Sequence, residues 1–330
     1  MTGSWVVMLL YAIIGFFEML ILAAIIFKII IFNTLSKSSN KIQAPELVKK
    51  KFFITSDQYN LKWFGEINPN GQEILLCLHD LGYSSKQFDK LEDFFLKKSK
   101  TISVISYDQR NYGRNNATQI RNLGQHLQDL KSIVSLIKSK HPEQNISILA
   151  SGFGALLAQE FFNNTDVGQI FLFSIPSKIF QTIEGKTFFK VFGGTLFSSK
   201  KLVKLNYSVN DFTTDTIEAK AFDQNLTQAG FISVREIYQF KILRNRFWKK
   251  ISKNNKKVVI WQSDNDVLSD SKFLSKKVQI SKLPIQQFKI VKAKKHLLLN
   301  DINSEVIFNE IKEVLINEGL FTSKERISSI

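Results

Sequence analysis

Five short loops of this sequence carry the residue types that acid–base and nucleophilic catalysis require. Each contains histidine, aspartate, serine or arginine, and each follows a short apolar run of the kind that forms a buried strand. Because the carboxyl ends of parallel strands meet at one edge of a sheet, we expect these loops to form one site. In chain order, the loops are residues 79–82, 108–114, 150–154, 263–266 and 295–297.

The elements that must position these loops follow from the spacing of the apolar residues. Continuous apolar runs predict buried strands, at 73–78, 102–107, 146–150, 169–173, 258–261 and 288–291, after two short strands at 52–55 and 61–64. Apolar residues at helical spacing predict helices over 123–137, 154–162 and 306–315. This alternation predicts an α/β fold, with a mostly parallel sheet and helices on both faces.

The composition argues against a nucleic-acid partner. The net charge of +16 comes almost entirely from lysines that are spread along the chain, and only seven residues are arginine. Proteins that read nucleic acids favour arginine for bidentate contacts to bases and phosphates. The single cysteine, Cys77, excludes an internal disulfide. No motif in the sequence calls for a cofactor or a metal ion.

The amino-terminal segment is long and apolar enough to cross a membrane. Residues 5–32 exceed the roughly 20 apolar residues that span the hydrocarbon core, and their apolar side chains outweigh the cost of Glu18 and Lys28. We therefore predict a transmembrane anchor over 1–35. Glu18 lies near the middle of this segment, where it either pairs with a partner helix or is a locally hydrated acid.

The charges on either side of this segment predict its orientation. No lysine or arginine precedes the apolar run, and no small-residue cleavage site follows it, so a cleaved signal peptide fits poorly. Lysines are frequent directly after the run. By the positive-inside rule, we predict a single-pass protein of the cell membrane whose soluble domain is cytoplasmic.

The soluble part divides into a tether, a core and an insertion. Residues 36–50 are polar and predict a tether, and residues 51–176 and 251–320 predict one α/β core. Residues 177–250 interrupt the alternation of strands and helices and are rich in phenylalanine. They form either a lid over the carboxyl edge of the sheet or ordinary core helices.

Taken in order, the five loops resemble those of the α/β-hydrolase superfamily, in its monoacylglycerol lipase and lysophospholipase branch. LCLHDLGYSS resembles the His-Gly-x-Gly segment of that branch, and YDQRNYGRN resembles its Asp-Gln-Arg-Gly-x-Gly-x-Ser segment. Residues 131–161 resemble its helix, strand and nucleophile turn. IWQSDNDVLSD and KKHLLLN resemble the loops that bear its acid and its histidine. The resemblance covers about residues 52–317 and implies an α/β-hydrolase fold in which 177–250 is the lid.

The resemblance also implies roles for particular residues. Asp266 lies where the acid of the catalytic triad belongs, and His296 lies where the general base belongs. The backbone N–H groups of Leu81 and Phe153 lie where the oxyanion hole is built. The lid of this branch guides an acyl chain, so the implied ligand is a lysophospholipid, a monoacylglycerol or another amphiphilic ester.

The position of the nucleophile departs from the family pattern. In G-x-S-x-G, the serine needs a small residue two positions before it and two positions after it, because the turn is tight. Gly152 has small neighbours at these positions, Ala150 and Gly154, whereas Ser151 has the large Leu149 and Phe153. Steric fit therefore favours Gly152, which has no side chain for attack.

Two other residues replace glycines of the family pattern, and they point the same way. Asp80 and Asn111 stand in the first two of the matching segments. An acid at position 80 would repel the negative charge that develops in an oxyanion hole. We therefore predict a degenerate hydrolase that binds lipid or acyl groups or acts as a scaffold. The alternative is an active serine esterase or lipase that uses an off-register Ser151 with His296 and Asp266.

Overall fold

A computed structural model describes most of the chain. The described residues are 4–36, 43–115, 122–177, 191, 193–194, 198–204, 209–221, 231–254, 256–281, 285–292 and 294–316. All statements on structure below concern these residues.

A nine-stranded sheet forms the centre of the domain. Its strands lie in the order β1-β2-β3-β5-β4-β6-β7-β10-β11, and a separate antiparallel pair is formed by β8 and β9. The bounds are β1 Glu46–Val48, β2 Phe52–Ile54, β3 Asn60–Phe64, β4 Glu73–Leu78, β5 Ile102–Tyr107, β6 Asn145–Ser151, β7 Gln169–Phe173, β8 Leu202–Lys204, β9 Phe231–Ser233, β10 Lys257–Ser263 and β11 Ile285–Val291.

The six strands from β5 to β11 in this order are parallel, and β1, β2 and β3 extend the sheet with antiparallel pairs. Every residue of β4, β5 and β7 is buried, as expected for strands that are covered on both faces. The strands run the same way, so the loops at their carboxyl ends share one edge, which we call the site edge.

Helices cover both faces of the sheet. Their bounds are α1 Ser4–Ser36, α2 Asp89–Lys98, α3 Leu123–Lys140, α4 Phe153–Ala158, α5 Val234–Ile251, α6 Ser271–Ser281 and α7 Glu305–Ile316. The apolar sides of α3, α4 and α5 form one buried cluster, and those of α2 and α7 form a second cluster on the opposite face. The predicted α/β fold, with a parallel sheet between two helical layers, is confirmed.

Helix α1 is continuous through the predicted anchor. One helix among the described residues, over Ser4–Ile31, is long and apolar enough to cross a membrane. Its last turns pack against α3 and α5 of the domain, where Ile31 is buried. The sheet begins within the segment that we predicted to be a tether, because Glu46–Val48 pairs with β2.

The described parts of the predicted lid include β8, β9, residues 209–221 and most of α5. The first turn of α5 is closed by a capping box, in which the Ser233 and Glu236 side chains accept from each other's backbone N–H groups. The phenylalanines that marked the segment as aromatic, Phe180, Phe188, Phe189, Phe192 and Phe197, lie outside the described residues.

Candidate functional site

A sharp turn between β6 and α4 is centred on Gly152. Its backbone has φ 53° and ψ −117°, a conformation that residues other than glycine rarely adopt. The Gly152 N–H donates to the carbonyl of Phe173 at 2.9 Å, which ties the turn to β7. A Cβ added to Gly154 would overlap the Leu78 carbonyl, so that position requires glycine. The glycine-centred turn is thus the strand-to-helix turn on which this fold places a nucleophile.

Asp266 and His296 face each other on the loops that follow β10 and β11. The His296 Nδ1 lies 2.8 Å from Asp266 Oδ1. The Asp266 carboxylate also accepts from the Leu268 N–H and from Gln262 Nε2, each at 2.8 Å. A carboxylate that accepts from three groups is held in one orientation, so it fixes the orientation of the imidazole ring.

The second ring nitrogen of His296 contacts Asp80, from the loop after β4. The His296 Nε2 lies 2.6 Å from Asp80 Oδ2. Asp80 Oδ1 accepts from the backbone N–H groups of Leu81 at 2.6 Å and of Phe153 at 2.5 Å. These are the two N–H groups that the sequence resemblance assigned to an oxyanion hole. The structure therefore places an internal carboxylate on both donors.

The same carboxylate occupies the space that a serine at position 152 would need. A Cβ added to Gly152 would overlap the carboxyl carbon and both carboxylate oxygens of Asp80. The glycine at position 152 and the aspartate at position 80 are thus linked in space. The Asp80 side chain occupies the volume that a serine side chain at 152 would fill.

The charge of His296 is set by its two acidic neighbours. Burial alone would lower the pKa of His296, but the charges and hydrogen bonds of Asp266 and Asp80 raise it to about 10. At neutral pH the ring is therefore an imidazolium, with one N–H directed at each carboxylate. A protonated histidine cannot accept a proton from a nucleophile, so in this state His296 is not a general base.

An apolar cluster closes the site edge above this group. The ring of Phe212, from the predicted lid, meets the His296 ring edge-on with centroids 5.4 Å apart. The Leu297 N–H donates to the Phe212 carbonyl at 2.7 Å. Phe212 also packs with Tyr83, Leu268 and Leu297 in a buried cluster. The His296 ring is fully buried, so its ion pairs are shielded from water.

Ser151 lies at the end of β6 and belongs to a different contact. Its hydroxyl accepts a hydrogen bond from Gln87 Nε2 at 2.8 Å. The two ring nitrogens of His296 are directed at Asp266 and Asp80. The structure thus brings together Asp266, His296, Gly152 and the N–H groups of Leu81 and Phe153, and it places Ser151 against Gln87.

Sequence reasoning missed the position of Asp80. It predicted that an acid at position 80 would disturb the oxyanion hole from beside it, whereas the carboxylate lies within the hole. The sequence contains one signal for this position. An acid replaces a glycine of the family pattern at position 80, and a glycine replaces the serine at position 152.

The loop after β5 holds a second ion cluster, in which Arg110 and Asp129 are buried and Asp57 is half-buried. Arg110 donates to Asp129 through Nε at 2.5 Å and Nη2 at 2.8 Å, and to Asp57 through Nη1 at 2.9 Å and Nη2 at 2.5 Å. Asn111 adopts φ 66° where the family has glycine, a conformation that asparagine tolerates better than most residues. Among the described residues, no group of His, Cys, Asp and Glu is arranged to hold a metal ion.

The fold and the turn at Gly152 define the class of this protein as an α/β-hydrolase. Its sequence matches the family model Hydrolase_4, described as serine aminopeptidase, S33, over residues 69–303, and the chain belongs to this family. No curated protein matches the sequence.

Solved structures of low sequence identity share the fold. A soluble variant of monoglyceride lipase from Saccharomyces cerevisiae, in complex with a substrate analogue, superposes with a TM-score of 0.64 and 16% identity, over 84% of this chain and 97% of that one. Monoacylglycerol lipase from Paleococcus ferrophilus gives 0.64 and 12%, over 78% and 99%. The esterase EaEST from Exiguobacterium antarcticum gives 0.58 and 12%, over 81% and 99%.

Proposed function

We propose that this protein is a catalytically degenerate member of the hydrolase family, attached to the cell membrane by α1, that binds lipid or acyl groups or acts as a scaffold. The observation that carries the proposal is the position of Asp80. Its carboxylate fills the oxyanion hole, ion-pairs with His296 and occupies the volume of a serine at 152. Three parts of a serine hydrolase are thus blocked by one side chain.

Each blocked part would be costly for catalysis. Loss of the nucleophile from a serine-hydrolase triad reduces turnover by about 10⁶-fold. The residual catalysis of such variants comes from the oxyanion hole and substrate binding, and here the hole holds a negative charge of the protein itself. Its donors are therefore unavailable to a substrate oxyanion.

The packing of α1 supports a retained membrane anchor. Ile31 is buried in the domain, and the Phe27 ring meets the Tyr238 ring at 5.4 Å. A segment that is cleaved after export does not contribute to the core of the mature protein. Most of the other apolar side chains between Trp5 and Ile30 are exposed, as expected for a helix whose surroundings are lipid. The lysines after α1 support a cytoplasmic domain.

The fold neighbours support the class of ligand. The chain shares its fold with monoglyceride lipases, one of which was solved with a substrate analogue. We infer that an acyl-bearing lipid or amphiphilic ester is held as a bound partner and is not converted. The protein would then use the family's binding surface without the family's chemistry.

Labelling with a fluorophosphonate probe, which reacts with activated serines, tests the loss of catalysis. We expect no labelling of the wild type. Gly152→Ser alone should also remain unlabelled, because its side chain needs the space of Asp80. The double variant Asp80→Gly/Gly152→Ser should be labelled, since it supplies a nucleophile and empties the oxyanion hole.

A matched control separates the alternative. Ser151→Ala removes the hydroxyl that accepts from Gln87 and should leave the wild-type result unchanged. Labelling of the wild type that disappears in Ser151→Ala would instead establish an active serine esterase with Ser151 as nucleophile. Protease digestion of the domain in intact cells would contradict its cytoplasmic location.

A further inference from the structure

The contact between α1 and the domain fixes which face of the domain lies nearest the membrane. Phe27, Ile31 and Leu35 are spaced four residues apart, so they share one side of α1. Phe27 and Leu35 pack against the buried cluster that α3, α4 and α5 form with the sheet, and Ile31, between them, is buried. The end of α1 is therefore a packed part of the domain.

The length of α1 leaves no room for a spacer. The segment before the first of these residues, from Ser4 to Ile26, is about 34 Å long at the rise of an α-helix. The hydrocarbon core of a bilayer is about 30 Å thick. If this segment crosses the bilayer, Phe27 lies at its boundary, and Tyr238 on α5 must lie there too, because the two rings are in contact.

The charges on α5 are suited to a position at the boundary of the bilayer. The helix carries six basic residues, and its single acid, Glu236, is fully buried in the capping box. Two of these basic residues pair with Glu160, and the others leave the exposed side of α5 positive. Lys241, one turn after Tyr238, is exposed. Basic side chains within reach of a membrane surface are attracted to anionic headgroups.

We infer that the face formed by α5 and the adjoining part of α3 lies directly against a bilayer surface that contains anionic lipids. The partner of this surface is the headgroup layer, and α1 orients the domain toward it. The inference rests on the proposed membrane attachment. It adds that the domain has one fixed orientation, with α2 and α7 on the side that faces away from the membrane.

Fluorescence quenching by lipids with a nitroxide headgroup tests this orientation. The full-length protein is reconstituted into vesicles of phosphatidylcholine with phosphatidylglycerol and labelled at one introduced cysteine, either Lys241→Cys on α5 or Leu96→Cys on α2. Leu96 is exposed on the opposite helical layer and is the matched control. Cys77 is fully buried, so the introduced thiol is the reactive one.

We expect quenching at position 241 to be several-fold stronger than at position 96. Equal quenching at the two positions, or stronger quenching at 96, would overturn the inference. Replacing phosphatidylglycerol with phosphatidylcholine should reduce the quenching at 241, and quenching that is independent of lipid charge would remove the role of anionic headgroups.

A flotation assay on the same samples separates the two proposals. Protein that does not float with the vesicles would refute both the membrane attachment and the orientation. Protein that floats but shows equal quenching at both positions would refute the orientation alone. In Ile31→Asp, the apolar contact with the domain is lost, and we expect flotation to persist while the difference between positions 241 and 96 disappears.

Discussion

Two ion clusters in this domain have the same charges in different places. In one, His296 lies between Asp80 and Asp266, and in the other, Arg110 lies between Asp57 and Asp129. Each consists of one cation and two carboxylates. The Arg110 cluster fastens the loop after β5 to the β2–β3 turn and to α3. The His296 cluster connects three loops of the site edge in a similar way.

The cations of the two clusters differ in how they respond to the loss of a partner. Burial alone would lower the pKa of Arg110, but the hydrogen bonds and charges of Asp129 and Asp57 raise this pKa above its usual range. Arginine therefore stays charged in every state of the protein. Histidine can release its proton, so the His296 cluster has an uncharged form and the Arg110 cluster has none.

On the proposed function, this difference reflects the conversion of a catalytic site into a structural one. A triad already supplies a buried histidine and an acid that orients it. One further carboxylate, placed where the serine and the oxyanion would be, converts them into a closed ion cluster in which every group is paired. The Arg110 cluster has the same kinds of groups, and its contacts hold loops together.

The largest effect should appear when the His296 cluster is returned to a catalytic arrangement. In the background of Asp80→Gly/Gly152→Ser, we expect His296→Ala to lower ester hydrolysis by about 10⁴- to 10⁶-fold, because the new serine depends on His296 as its base. Turnover of a short-chain nitrophenyl ester measures this change. Equal turnover with and without His296 would show that the histidine has no latent catalytic role.

Loss of the arginine should have the largest effect on stability. Arg110→Ala leaves the buried Asp129 carboxylate and the half-buried Asp57 carboxylate close together without a cation, and we expect a loss of about 3–5 kcal/mol in the free energy of unfolding. Denaturant unfolding of the full chain in detergent measures it. A change below about 1 kcal/mol would place this cluster in the range of exposed ion pairs, contrary to its burial.

The corresponding change in the site should cost less. Asp80→Asn retains an oxygen for the N–H groups of Leu81 and Phe153 and removes one charge beside His296. Because the histidine can become neutral, we expect a loss of about 1–3 kcal/mol, measured as for Arg110→Ala. A larger loss than in Arg110→Ala would reverse the comparison between the two clusters.

The pH dependence of stability should come from the His296 cluster. In the folded protein the pKa of His296 is about 10, and in the unfolded chain it is near 6.5. The stabilisation is therefore complete below pH 6.5 and is lost as the pH rises toward 10, by about 1.4 kcal/mol per unit. Denaturant titrations across this range measure it. Asp80→Asn should make the slope shallower, and an unchanged slope would exclude Asp80 as its cause.

The sequence was sufficient to predict the fold because the same pattern, an apolar run followed by a polar loop, is repeated along the chain. The buried strands are continuous apolar runs, and the loops that follow them occur in the order of the family. The small residues around Gly152 identified the centre of the turn, since that argument needs only neighbouring positions. The same locality placed Asp266 and His296 on loops that leave adjacent strands.

Two features could not be predicted, because they depend on contacts between distant segments. The position of the Asp80 carboxylate is set by N–H groups on two loops and by the space above Gly152, which only the assembled sheet defines. The docking of α1 was hidden for a different reason. The whole segment is apolar, so the face that packs on the domain has no contrast with the exposed face.

The smallest effect should come from Ser151, which lies next to the site in sequence and outside its ion cluster. Ser151→Ala removes one hydrogen bond from Gln87, whose side-chain oxygen still accepts from the Asp80 N–H at 2.9 Å. We expect a loss of about 1 kcal/mol in the free energy of unfolding and no change in its pH dependence. A change in the pH slope would couple this hydroxyl to His296. Ser151 would then belong to the site, and the alternative esterase would regain its nucleophile.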